Sequence, residues 1–237
     1  MAKGISSLTI ATVSFGTSAI FIRYATEVSA LSLTFYRLSI AALAMLLFAY
    51  STGRLRTLTG TKFLLVIVSS LALSLHFTAF ILAVKFTTVA NATFLVSTSP
   101  MMLAVLSPIL IGERTTSREG VGVTIATLGI LFVANAGNSF HSFGLADFSA
   151  LLAAFFISFY SMIGRFLRAR GMNTACYTAY VYSIAAVIAL LLVEILRSDA
   201  TRTYDATNML AILGLALIPT LLGHSLYNYS LGSVKTV

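Results

Sequence analysis

Apolar residues in this chain run in long stretches with few interruptions, and neither a strict alternation nor a one-sided helical stripe organises them. A membrane-crossing helix needs about 20 largely apolar residues. By that measure eight segments qualify, at roughly 8–24, 30–50, 63–84, 90–111, 120–137, 148–165, 175–194 and 208–231. The sixth, FSALLAAFFISFYSMIG, is short and more polar. Strands of a membrane barrel alternate over about ten residues. Runs such as LLAAFF and AALAMLLF do not. Backbone in lipid must satisfy its own hydrogen bonds, so the pattern predicts an all-α polytopic helix bundle.

Composition agrees. Hydrophobic residues make up 58% of the 237, charged residues 9%, and mean hydropathy is +0.96. A soluble globule carries about 25% charge. The formal net charge is +8, but the basic residues sit in short gaps between apolar runs, where anionic headgroups are the fitting partner and nucleic acid is not. The single cysteine, Cys176, rules out an intramolecular disulfide. Arg23 and Glu27 interrupt the approach to any cleavage site after the first segment, so it reads as a retained helix.

The charges also orient the bundle. With the N-terminus in the cytoplasm, the inner loops carry Lys3, Arg54, Arg56, Lys62, Arg114, Arg118, Arg165, Arg168, Arg170 and Lys235. The outer loops carry only Arg23, Lys85, Arg197 and Arg202. This predicts a multi-pass protein of a cell (inner or plasma) membrane with a cytoplasmic N-terminus. The gaps are too short for a soluble domain. TTSREG supplies a start signal for the fifth helix, with Thr116 as cap and Glu119 three residues on.

The chain resembles itself. LALSLHFTAFILAVKFTTVANA (Leu71 to Ala92) and LALIPTLLGHSLYNYSLGSVKTV (Leu215 to Val237) both carry polar residues in mid-span and end in a small-residue turn. VSFGTSAIFIRYA and FISFYSMIGRFLR form a second pair. Five segments precede the turn-rich gap from Ala136 to Asp147, and an odd number makes the second copy enter the membrane inverted. The expected organisation is a first repeat over 1–139 and a second, with three helices, over 140–237.

Several stretches carry a family likeness: FGTSAIFIR in the first helix, TFYRLSIAALAMLL in the second, STSPMMLAVLSPILIGER in the fourth, GVGVTIATLGILFVA in the fifth and GHSLYNYSLGSVKT in the eighth. Together the chain resembles the drug/metabolite transporter superfamily, specifically its EamA-type members. The resemblance implies ten helices in two inverted five-helix repeats, hence two more after Val237, and a membrane protein that exports or exchanges small metabolites.

Candidate substrate-binding residues are polar groups placed deep in the spans, where ionisable side chains face protein or a cavity. Arg37 lies about seven residues into the second helix, roughly 10 Å deep at 1.5 Å per residue. It reads either as an anion- or gate-facing group or as a side chain snorkelling to the headgroups. His76 and His224 fall near mid-membrane on corresponding helices, where two imidazoles could face one cavity or simply bond to nearby backbone. Phe80 shares a face with His76, and Tyr227 and Asn228 share one with His224. Ser97 and Thr98 precede Pro100, which lacks a backbone donor and frees the carbonyl of Val96. Tyr160 and Tyr180 are candidate aromatic walls, with Tyr36 beside them. Glu113 reads as a boundary charge.

The chain contains no phosphate-cradling glycine loop, no Cys/His cluster with zinc spacing and no serine-nucleophile motif. No enzyme activity, cofactor or metal is expected. The expected function is transport of a small polar or amino-acid-like metabolite by alternating access without ATP hydrolysis, with the bilayer as a partner and self-association of the chain as an open option. A non-transporting membrane protein is the alternative.

Overall fold

A computed structural model describes residues 2–136, 143–198 and 203–234. The expected repeat junction at 139/140, half of the gap from Ala136 to Asp147, and the charges Arg202 and Lys235 lie outside the described residues.

The described chain is helical: α1 Ala2–Gly16, α2 Ser18–Tyr24, α3 Ala30–Ser51, α4 Gly60–Phe86, α5 Val89–Val96, α6 Ser99–Leu110, α7 Ser117–Ala136, α8 Leu145–Ala169, α9 Thr174–Ile195, α10 Ala206–Leu215, a π-helical segment Ala216–His224, and α11 Ser225–Ser230. Three of the eight expected spans are therefore composite: span 1 is α1 with α2, span 4 is α5 with α6, and span 8 is α10, the π segment and α11. Among the described residues, seven helices are long and apolar enough to cross a membrane. Span 1 begins earlier than its apolar run suggests, at Ala2. Span 6, short in the sequence reading, is one of the longer helices, with 25 residues.

Side-chain caps set the helix starts. Ser29 accepts from Ser32 N, Thr88 from Asn91 N, Asn173 from Ala175 N and Asp205 from Asn208 N. The expected cap at Thr116 is present, with Thr116 N donating to Glu119 Oε2 at 2.6 Å and Glu119 N to Thr116 Oγ1 at 3.3 Å. Gly171 ends α8 at φ 84°, a left-handed turn that costs glycine nothing.

Contacts between helix ends fix the directions of the spans. A side chain at Gly4 would strike Ser233 and Val234, so span 8 ends where span 1 begins. Arg165, late in α8, donates to Leu231 O at 2.8 Å, so span 6 ends there too and runs opposite to span 1. Ser29 before α3 bonds Ser198 after α9 at 2.5 Å, and Cys176 in the first turn of α9 reaches Arg56 O beyond α3. Spans 2 and 7 are thus antiparallel. Helix α3 packs along α9, α4 along α8, and α1 along the π segment and α11. Exchanging spans 1 with 6, 2 with 7 and 3 with 8 maps the first contact onto itself and interchanges the other two. That is the arrangement of an inverted-topology repeat.

Candidate functional site

Where α4, α8, α9 and span 8 meet, the bundle encloses a polar and aromatic cluster instead of a purely aliphatic core. His76 and His224 face each other across the repeat interface with ring centroids 6.2 Å apart, and both are buried. His76 Nδ1 lies 2.8 Å from Ala153 O. A carbonyl only accepts, so Nδ1 carries a proton, and in the neutral ring Nε2 is the acceptor. Phe80 lies parallel to the His76 ring at 6.2 Å. His224 packs against Phe15 at 4.6 Å, Phe77 at 4.9 Å and Tyr160 at 5.9 Å. Its Nδ1 is buried without a partner.

One turn beyond His224, Asn228 Nδ2 donates to the Tyr160 hydroxyl and, at 2.7 Å, to His224 O. Asn228 Oδ1 has no partner. Tyr227 donates to Ser161 Oγ at 2.8 Å. The stripe His224–Tyr227–Asn228 is therefore anchored to α8 through two tyrosines.

Arg37 is the most unusual member. It is 1% exposed and does not snorkel. Nε donates to Thr220 Oγ1 at 2.9 Å, and the guanidinium carbon stands 3.6 Å from the centre of the Phe77 ring. A desolvated cation over a ring gains up to about 2 kcal/mol. Stripping a charge of water costs several. Nη1 is buried without a partner, and so is Ser74 Oγ, one turn before Phe77 on α4. Thr220 itself donates to Leu215 O, five residues back, at 2.7 Å. Pro219 sits inside this segment, which widens to π geometry. Such widened turns are frequent at functional sites.

The other predicted residues lie apart from this cluster. Span 4 breaks at Ser97–Thr98, just before Pro100, but both side chains are only half-buried and Thr98 Oγ1 bonds back to Leu95 O at 2.6 Å. Tyr180 is half-buried, whereas its neighbours Tyr177 and Tyr182 are fully enclosed. Tyr177 and Ser69 hydroxyls share a 2.6 Å bond, and Tyr182 reaches Ser225 Oγ at 3.2 Å. Tyr36 lines a separate groove of about 420 Å³ between α3 and α10, with Ile40, Tyr204, Met209 and Ile212. Sequence reasoning missed Phe77, Thr220, Ser74 and Tyr182. For Thr220 the available signal was Pro219 within LALIPTLLGH.

The family model described as EamA-like transporter family matches residues 2–135 and again residues 144–236. The chain belongs to the EamA-like transporter family. A solved structure described only as "Crystal structure of protein" superposes with a TM-score of 0.74 at 20% identity, covering 96% of this chain and 78% of that one, and so shares the fold. No curated protein matches. Membership makes this multi-pass membrane protein a transporter in general terms.

In this EamA-family chain each end of the bundle carries cations on helix-terminal carbonyls, a favourable placement against the helix dipole. At the end where spans 1 and 3 finish, Arg23 donates to Thr87 O at 2.6 Å and Lys85 to Ala25 O at 2.6 Å. At the other end Arg165 holds Leu231 O and pairs with Glu113 Oε1 at 2.7 Å, while Arg168 donates to Asn228 O at 3.2 Å. Glu113 is thus the link from span 4 to span 6.

Proposed function

We propose that this EamA-family chain carries a small polar metabolite across a cell membrane, exporting or exchanging it by alternating access around the His76–His224 cluster. The observation that supports this reading most is the placement of four buried, unpartnered polar atoms: Arg37 Nη1, Ser74 Oγ, His224 Nδ1 and Asn228 Oδ1. They sit on spans 2, 3 and 8, in and around the interface between the halves. Buried polar groups are normally satisfied, and a substrate would complete them. The clamps Arg23–Thr87 and Arg165–Leu231 lie at opposite ends, so releasing one while keeping the other would open the cluster to one side at a time. The excess of basic residues in the loops on the N-terminal side supports a cytoplasmic N-terminus.

The test is counterflow of labelled metabolites in vesicles reconstituted with the full chain, comparing the parent with His224→Ala. Exchange by the parent above protein-free vesicles, reduced by the substitution, is the expected result. No exchange of any solute tried would sink the transport reading, and unchanged exchange would remove His224 from the site. Single-cysteine labelling of the loop after α3 tests orientation, which requires access from the cytoplasmic side.

A further inference from the structure

We propose that the molecule this site takes carries a carboxylate and no compensating cation, and that Arg37 receives the carboxylate. The inference rests on the cluster being the substrate site and adds the chemical class of what enters.

A guanidinium keeps its charge at any physiological pH, so Arg37 cannot escape burial by shedding a proton. Buried charges are paired, and Arg37 makes no ion pair with any described acid. Glu113 is held by Arg165, and Asp147 by Thr87, Asn91 and Gly144 N. The guanidinium is also held in place: Nε is tied to Thr220 and one face lies on Phe77, which leaves buried Nη1 without an acceptor. A guanidinium edge fits a carboxylate better than any neutral oxygen, because two parallel N–H bonds can form.

The surroundings define the rest of the ligand. Among the described residues no carboxylate is joined to Arg37, His76 or His224 to receive an ammonium group, which disfavours amines and zwitterions. Phe77, Phe15 and Tyr160 pack around His224 and offer an apolar wall for a compact hydrocarbon or aromatic body. Ser74, buried and unpartnered on the same helix as Phe77, is available for the second oxygen.

The experiment uses the full chain in detergent and three probes of one shape: benzoate, benzamide and benzylamine, with sodium chloride as the salt control. Thermal unfolding is followed by circular dichroism, and affinity by titration. Benzoate alone should raise the midpoint, by about 2–4 °C at saturating ligand. Arg37→Gln should weaken benzoate at least about tenfold. Arg37→Lys, which keeps charge but not the fork, should retain the preference for benzoate at reduced affinity. If Arg37→Gln does not fold, the probe series on the parent and the lysine variant decide. Equal shifts from benzamide, benzylamine or chloride, no shift from benzoate, or a lysine variant indifferent to the headgroup would each overturn the proposal. The two readings fail separately. Exchange of neutral solutes without benzoate binding would leave transport and remove the anion. Arg37-dependent benzoate binding without any exchange would leave the anion and remove transport.

Discussion

Arg23 and Arg165 make the same bond at opposite ends of the bundle. Each arises late in the first helix of its half, and each donates to the C-cap carbonyl of the third: Arg23 Nη2 to Thr87 O at 2.6 Å, Arg165 Nη1 to Leu231 O at 2.8 Å. The two caps need not match for the chain to fold. Their equivalence follows from spans 6 to 8 repeating spans 1 to 3 upside down, and it gives each end one cationic latch over the last turn of a helix.

The latches are unequal, because Arg165 also pairs with Glu113 while Glu113 Oε2 is already buried without a partner. Arg165→Ala should therefore cost more stability than Arg23→Ala, about 1–2 kcal/mol for the hydrogen bonds and the partly shielded pair together. A double-mutant cycle with Glu113→Ala, read by thermal unfolding in detergent, checks this. Additive losses would show that the pair contributes nothing.

Asp147 ties three spans at one point. Its Oδ1 accepts from Thr87 Oγ1 at 2.9 Å and Asn91 Nδ2 at 3.2 Å, its Oδ2 from Gly144 N at 2.9 Å, and the side chain is 1% exposed. Asp147→Ala should cost about 2–4 kcal/mol, since it removes at once the acceptor shared by the buried Thr87 and Asn91 side chains and that of Gly144 N. Asp147→Asn should recover part of that loss. A stability change within error for the alanine variant would mean that water takes over the carboxylate's role.

Asp205 supplies the acid limb of a pH profile. It caps α10, and hydrogen bonds from Asn208, backbone first and then side chain, hold its pKa below the usual carboxylate range. A depressed folded-state pKa contributes stability that is fully present above the unfolded value, near 3.9, and disappears as pH falls through the folded value. Asp205→Asn should lower the neutral and alkaline plateau by a constant amount without changing its slope, and flatten the parent's loss of stability in that acid window. Melting temperature measured from neutral pH downward would show it.

How much of this was legible depended on what each feature leaves in the sequence. The spans follow from apolar length, and the cap at Thr116 from residue types at fixed spacing. The inverted arrangement was legible in the odd number of helices before the central gap. Facing was not. A helix apolar all round carries no stripe to mark its buried side. In TACYTAYVYSIAA three tyrosines within six positions point in different directions, and only packing selects Tyr177 and Tyr182 for complete burial while Tyr180 stays half-exposed. The same blindness hid Phe77, whose role comes from lying under Arg37. Thr220 was hidden differently, because its bond to Arg37 arises where span 8 leaves α-helical geometry around Pro219.

Span 8 can hold His224 against span 1 only because two glycines let the helices close. A Cβ at Gly214 would enter the ring of Phe21, and one at Gly223 would meet Phe15 Cε1 at 2.9 Å and Ser14 Cβ at 3.2 Å. Small residues at such contacts are what membrane helices use to approach, since lipid offers no hydrophobic push. Gly214→Ala should destabilise by about 1–3 kcal/mol through overpacking, even though alanine is the better helix former. Gly16→Ala is the control, because nothing lies within 4 Å of its added carbon and it should be neutral or slightly stabilising. The pair separates close packing from any general intolerance of alanine. If shortening the ring with Phe21→Ala restores the Gly214→Ala protein, the clash is the cause. If both glycine variants lose stability equally, the close approach of spans 1 and 8 is not what positions His224.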